Sequence, residues 1–533
     1  MTPHPTPQGV NSPTFNPVPF NHSFSVPGLY EHHAKHSPDH AVFTYTDLDT
    51  HTNHDISYRQ AWQSISTVAN MISAYYDGKK APAADGKPPV VGVLAMADTL
   101  TYIYVLVAIM SLGFTAFPLS PRNNPTVTAH LVEVTGITKV LVSEDLAMQT
   151  LIKEASAVLT KKGITIEPLL MPKPGDYADA SGMRTVKEIG DNDVTIILHS
   201  SGTTAFPKPI PITRRGLINL SNIPCYGEVD LAGKRIAAHT NPTFRTGSTF
   251  ALYKPIVPPA PPNPANFLAS WVADRCDIVF CVPVFIEAWA RDPANIPTLQ
   301  KLDSIVFSGA PVNKGIGDML VKAGVTMHPF WGNTEVGPAT MFVPEDSPRT
   351  DEWEYFKLSH HIKFYMKPEE GLEGIFEPIM IHVFAIGDLL ELLTLAAGVF
   401  LDGRTTRLCC RPGRTAHWFT SIAQDPNVAS AVMFGRNHVD VGVLVEPAAG
   451  VEVPLDNKQK PTIELVNSRS PQYAQIKKEF IVVTSPSKPM ELTAKGTPRR
   501  GVCLKLYTEE IEALYAAVEQ GIDHANRQFP DRA

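Results

Sequence analysis

A run of small hydroxyl side chains around one glycine is the most chemically suggestive text in the chain: Ser200, Ser201, Gly202, Thr203 and Thr204, followed by Pro207 and Lys208. Backbone N–H groups and hydroxyls in such a loop can wrap a polyphosphate, and a lysine adds a point charge. The preceding text, DVTIILHS, reads as a buried strand, so the loop would leave a sheet at His199. GxxxxGK[ST] is absent, which excludes a Walker loop; taken alone, a Ser/Thr/Gly loop is more often just a loop. Four histidines in EHHAKHSPDH (31–40) lack metal-site spacing and predict a solvated helix end. The six cysteines, at 225, 276, 281, 409, 410 and 503, form no CxxC pair and no Cys/His cluster. They predict free thiols in a reducing compartment.

Elements that could position the loop alternate along the chain. VVGVLAM, TKVLVS, CDIVFCVPV and DSIVFSG read as buried strands separated by helical patterns, which predicts a parallel α/β architecture. The uncharged stretch from Thr99 to Pro121 is long enough to suggest a membrane span. It divides instead into a helix (TYIYVLVAIMSL) and a short strand (FTAFPL), and a buried reading is preferred. Residues 1–27, rich in Pro, Asn and Ser, predict a poorly ordered arm. Residues 28–403 form a large domain, and 404–533 form a smaller α+β domain with VDVGVLVEP and EFIVVTSP as strands. That domain closes on a helix whose apolar face is Leu506, Ile511, Leu514, Tyr515 and Val518.

The 533 residues, 44% hydrophobic and 19% charged, suit a globular protein with a sizeable core. A net charge of −7 without a basic block argues against nucleic acid. The first residues lack a basic n-region and an apolar h-region, so no secretory leader is expected and the cytoplasm is the predicted location.

Strand, SSGTTxxPK and the following Thr213-Arg214 together resemble the phosphate-binding signature of the adenylate-forming superfamily. That superfamily includes acyl-CoA synthetases, luciferases and peptide-synthetase adenylation domains. The resemblance implies that Ser200 to Thr204 and Lys208 clamp the β and γ phosphates of ATP; Ala205 stands where the family usually has Gly. VFSGAPVN (306–313) and HPFWGNTEVGP (328–338) resemble its adenine-binding turn and its aromatic-Gly-x-Thr-Glu motif. By that resemblance Gly309, Ala310 and Pro311 pack on adenine, Asn333 belongs to the nucleotide site and Thr334 contacts the α-phosphate. Glu335 then holds Mg2+, which suits a hard cation bound by phosphates and one or two carboxylates. FAIGDLLEL implies that Asp388 binds the ribose hydroxyls, with Ile386 in place of Thr, and Arg404 marks the joint between domains. WEYF (353–356), DPNVASAVMFGR (425–436) and TAKGTPRR (493–500) look most like fungal peptide-synthetase-like carboxylic acid reductases.

Three departures stand out. In PTFRTGS, Phe244 fits the acid pocket of the family, but Arg245 replaces the usual His. Lys495 precedes Gly496 instead of following it; it is carried over as the catalytic lysine beside the developing charge, with a surface lysine as the alternative. TTRLCCRPGRTAHWFT (405–420) stands where an acidic hinge motif is expected and fits no strand or helix pattern. Read one base earlier from Thr406, the codons permit a run close to the missing motif, so this block reads as out-of-frame translation; a diverged surface loop is the alternative.

The resemblance implies ATP-dependent activation of a carboxylic acid to an acyl-adenylate, which awaits a thiol on a carrier acting in trans or on CoA. A free-standing acyl-CoA ligase and a non-catalytic nucleotide-binding remnant are the competing readings.

Overall fold

The computed structural model describes residues 6–18, 24–76, 88–199, 207–222, 228–238, 245–309, 312–333, 337–345 and 353–359, then short stretches at 363–368, 375–381, 393–394, 399–401, 407–409, 427–434, 442–448, 480–492 and 498–519. Two parallel sheets flanked by helices dominate it. In the first, the spatial order is Glu167–Leu170, Lys139–Val142, Val90–Leu94, Thr115–Leu119, Val194–His199 and Pro209–Thr213. Only the last pair is antiparallel. The second sheet runs Met327–Pro329, Ser304–Phe307, Ile278–Cys281, Arg235–Ala238, Thr249–Ala251, Ala41–Asp47 and Thr52–Ser57, and again only its final pair is antiparallel. Buried strands of Val, Ile and Leu are what a sheet covered on both faces requires.

The uncharged stretch from Thr99 resolves as the helix Thr99–Ser111 and the strand Thr115–Leu119, as expected. Asp98 caps the helix by accepting from the Thr101 amide at 2.9 Å, and Gly113 turns the chain at φ +71°. Thirteen residues span about 20 Å, short of the ~30 Å of a bilayer core. Among the described residues no helix is long and apolar enough to cross a membrane.

A third, antiparallel sheet contains Tyr355–Lys357, Arg407–Cys409, Val399–Leu401, Ile375–Ile381 and Lys363–Pro368. Arg407–Cys409 thus pairs on both sides, although its text showed no strand pattern; most of the 405–420 block lies outside the described residues. The smaller α+β part pairs Val428–Phe434 with Gly442–Pro447 and adds Ile481–Val483 in parallel. Its closing helix is in fact two, Arg500–Leu506 and Thr508–Glu519, with Tyr507 between them. Leu514 and Tyr515 are buried, whereas Leu506 is exposed, so the expected apolar face does not reach back that far.

The amino-terminal arm differs most from expectation. Residues 6–18 form a strap on the core, with Phe15 and Val18 buried. Gln8 donates to the Val229 carbonyl at 3.1 Å and accepts from the Leu231 amide at 2.8 Å. Phe15 stacks on His33 at 4.7 Å between centroids and also meets His40 and Tyr58. A single well-placed aromatic ring and a bonded amide order a segment whose composition reads as unstructured.

His33 and His40 are consequently core residues, not a solvated helix end. Among the described residues no group of three or more His, Cys, Asp or Glu could hold a metal. Burial, followed by the charges of His32, His40 and Arg245, lowers the His33 pKa to about 3. The unfolded chain takes up this proton near pH 6.5 and the folded chain does not, so stability is complete above that pH and falls as pH drops toward 3. At pH 5 the expected loss is about 2 kcal/mol. Melting curves between pH 4 and 8 should show this slope in the parent, flattened in His33→Phe; equal slopes would remove His33 as its source.

Candidate functional site

The hydroxyl-rich text 200–206 lies between two paired strands. Val194–His199 pairs with Pro209–Thr213 up to the register pair His199–Pro209. His199 thus marks the carboxyl end of a strand in a parallel sheet, the end at which open α/β sheets bind ligands. His199 Nε2 accepts from the Ser120 amide at 3.1 Å, tying the ends of two neighbouring strands together at the loop's base. Lys208 lies exposed at the described edge of the loop. Arg214 is nearly buried and is held by Glu188 at 3.2 Å and by Asp191. Asp191 also meets Arg215 at 2.5 Å, and these guanidinium contacts, Arg215 first, hold its carboxyl below the usual range.

The second sheet offers two more turns at carboxyl ends. After Ser304–Phe307 the chain reaches Gly309 at φ +90°, a left-handed conformation that favours glycine. After Met327–Pro329 it forms a small hairpin in which Gly332 opposes Pro338 and Asn333 opposes Gly337. A Cβ on Gly332 would lie 2.4 Å from the Gly337 carbonyl oxygen, and Gly337 has φ +71°, so both glycines are required by the close approach. Trp331, just before this hairpin, stacks on Phe356 with centroids 5.8 Å apart and rings 2° from parallel. Trp353 is buried against Gly317 and donates to Asp318 at 2.9 Å. The WEYF text is thus the aromatic backing of the hairpin and its neighbouring helix.

A close approach links the helix after the first hairpin to the second hairpin. Leu220, on the helix Arg214–Asn222 that follows the phosphate hairpin, sits against Gly337: a Cβ there would lie 2.3 Å from Leu220 Cδ2. Asn219 on the same helix is 1% exposed, and among the described residues neither end of its amide is hydrogen-bonded, the kind of group a bound polar ligand satisfies.

Of the sequence-derived site residues, the described structure places Lys208, Gly309 and the backbone of Asn333 at strand carboxyl ends. Arg245 is buried just ahead of Thr249–Ala251, and its charge reaches His33. Ser200, Ser201, Gly202, Thr203, Thr204, Phe244, Ala310, Pro311, Thr334, Glu335, Asp388, Arg404 and Lys495 lie outside the described residues. His199, Leu220 and Asn219 were missed by sequence reasoning. Only His199, the last residue of the strand before the loop, carried a positional signal.

Comparison with known proteins agrees with this arrangement. Residues 30–358 match the family described as AMP-binding enzyme, and residues 416–519 match the AMP-binding enzyme C-terminal domain. The adenylate-forming reductase Nps10 of Heterobasidion annosum is 32% identical over 97% of this chain and 52% of its own length. Nps11 of Serpula lacrymans var. lacrymans, also an adenylate-forming reductase, is 26% identical over 95% of this chain and 50% of its own. The chain therefore spans about half the length of the curated relatives it matches. The anthranilate CoA ligase AuaEII, solved with anthranoyl-AMP, shares the fold at a TM-score of 0.70 and 14% identity, covering 93% of this chain and 99% of that one. With its turns gathered at the carboxyl ends of two parallel sheets, and with the family matched over most of its length, the chain belongs to the AMP-binding, adenylate-forming enzymes.

Proposed function

We propose that this chain is the adenylation part of a peptide-synthetase-like carboxylic acid reductase. Its single strongest support in the structure is the Leu220–Gly337 contact, which joins the phosphate hairpin to the hairpin carrying Thr334 and Glu335. A carboxylate oxygen of the acid attacks the α-phosphorus of ATP, the bond to the bridging β-phosphate oxygen breaks, and pyrophosphate leaves. Lys208 and the hydroxyl loop hold the β and γ phosphates, Gly309 to Pro311 and Asn333 hold adenosine, and Asp388 takes the ribose. Thr334 and Lys495 face the reacting α-phosphate, while Phe244 and Arg245 border the acid. Glu335 would hold magnesium, which neutralises phosphate charge when bound; one or two carboxylates beside the phosphates suffice for that ion.

The thiol acceptor in this reading is a phosphopantetheine carrier, the small domain turns about Arg404, and the enzyme works in the cytoplasm. The name reductase, borne by both relatives, supports a carrier over CoA. ATP–pyrophosphate exchange with a panel of aryl, amino and keto acids tests the reading. Lys208→Ala should slow exchange by roughly tenfold to a hundredfold by removing a charge from the leaving group; an unchanged rate would remove the loop from the site. Thioester formation should be lost while residues 405–420 keep their present text, and recovered when the alternative codon register is restored. A chain that loads carriers at a normal rate from one clean reading frame would overturn that expectation.

A further inference from the structure

Glu228 is wholly buried, yet it belongs to no motif. It opens a short stretch that runs antiparallel to the chain leaving the second hairpin: Glu228 bridges Pro344, and the Val229 amide donates to the Val343 carbonyl at 3.1 Å. Its two carboxylate oxygens accept from two successive backbone amides, Oε1 from Phe342 and Oε2 from Val343, the latter at 2.6 Å. The held segment connects directly to the hairpin. The Ala339 amide donates to the Trp331 carbonyl, the Trp331 amide to Thr340 Oγ1 at 2.9 Å, and Gly337 pairs with Asn333. Phe342 itself is wedged between Phe280 and Phe330 at 5.1 and 4.9 Å, so an unsatisfied amide there would face hydrocarbon.

We propose that Glu228 is a positioning residue for the metal-binding hairpin, its carboxylate gripping the Phe342 and Val343 amides and so fixing the arm that descends from the Thr334–Glu335 turn. This rests on the reading of Glu335 as the magnesium ligand. A buried carboxylate is an expensive way to satisfy two amides that water or a backbone carbonyl could serve elsewhere. Burial pushes its pKa up to about 8 against the pull of those amides and of Lys357, so the full carboxylate is present only above that pH, where the variants are compared. A bidentate acceptor adds geometric specificity, holding two neighbouring amides in one orientation at the foot of a turn.

The experiment uses the full chain in three variants, Glu228→Gln, Glu228→Asp and Glu335→Gln. Glu228→Gln keeps the shape but presents an NH2 to one of the two amides. Amide hydrogen exchange across 337–345 should quicken at least tenfold, and the magnesium concentration for half-maximal pyrophosphate exchange should rise at least fivefold. The KM for the acid should stay within twofold. Glu228→Asp, which keeps the carboxyl group but withdraws it by one methylene, should fall between the parent and Glu228→Gln, and it serves if the glutamine variant does not fold. Unchanged amide exchange in both Glu228 variants, or faster amide exchange with an unchanged magnesium requirement, overturns the proposal. If Glu335→Gln leaves the magnesium requirement untouched, the metal assignment falls and the proposal with it, whereas failure confined to the Glu228 variants leaves Glu335 standing.

Discussion

Glu335→Ala is expected to slow pyrophosphate exchange roughly a hundredfold to a thousandfold, the scale seen when one preorganised charge-stabilising group is removed. The text around it explains why no neighbour should compensate. The turn that carries it is pinned by Gly332–Pro338 and Asn333–Gly337, and neither glycine tolerates a Cβ. Raising magnesium should recover part of the rate, because the phosphates retain their own affinity for the ion, and Glu335→Asp should keep more activity than alanine. Exchange measured against magnesium, with melting temperature recorded alongside, separates lost chemistry from lost structure. A variant matching the parent at every magnesium concentration would end the assignment.

The second large effect concerns stability. Phe15→Ala is expected to cost about 3–5 kcal/mol, the range for removing a buried aromatic ring. The ring rests on His33, His40 and Tyr58 and covers Gly9 and Gly247, where a Cβ would lie 2.6 Å from it. Its removal leaves a hole that neither glycine can fill and lets water reach His33, whose neutral form depends on burial. Melting temperature should drop by roughly 5 °C or more, and the acid-side loss of stability described above should shrink in the variant. A shift within one degree would mean that the strap contributes little.

These two cases show what a sequence can and cannot reveal here. The parallel architecture was legible because strands buried on both faces are short, mostly apolar runs without polar alternation, as in Val90–Leu94 and Ser304–Phe307. Division of the Thr99 stretch was legible because Gly113 interrupts it. The hairpins were legible as motifs, and their glycines fall where positive φ or close approach demands them. Burial created by distant contacts was not legible. Phe15 meets Gly247 and Glu228 meets Phe342, and no local period in either sequence anticipates the partner. Leu506 failed in the opposite direction: the apolar spacing continued, but the helix broke at Tyr507 and turned that side chain outward.

The strap has one more consequence, for the order of events on the ribosome. Gln8 finds its partners in residues more than two hundred positions later, and Phe15 needs Gly247. At about 5–20 residues per second, roughly ten to fifty seconds pass before those residues have even been synthesised. Through that interval the nascent chain presents an uncovered Phe15 and a half-built second sheet, a natural footing for a chaperone. The strap, made well before its partners, would then be among the last parts of the large domain to find its place.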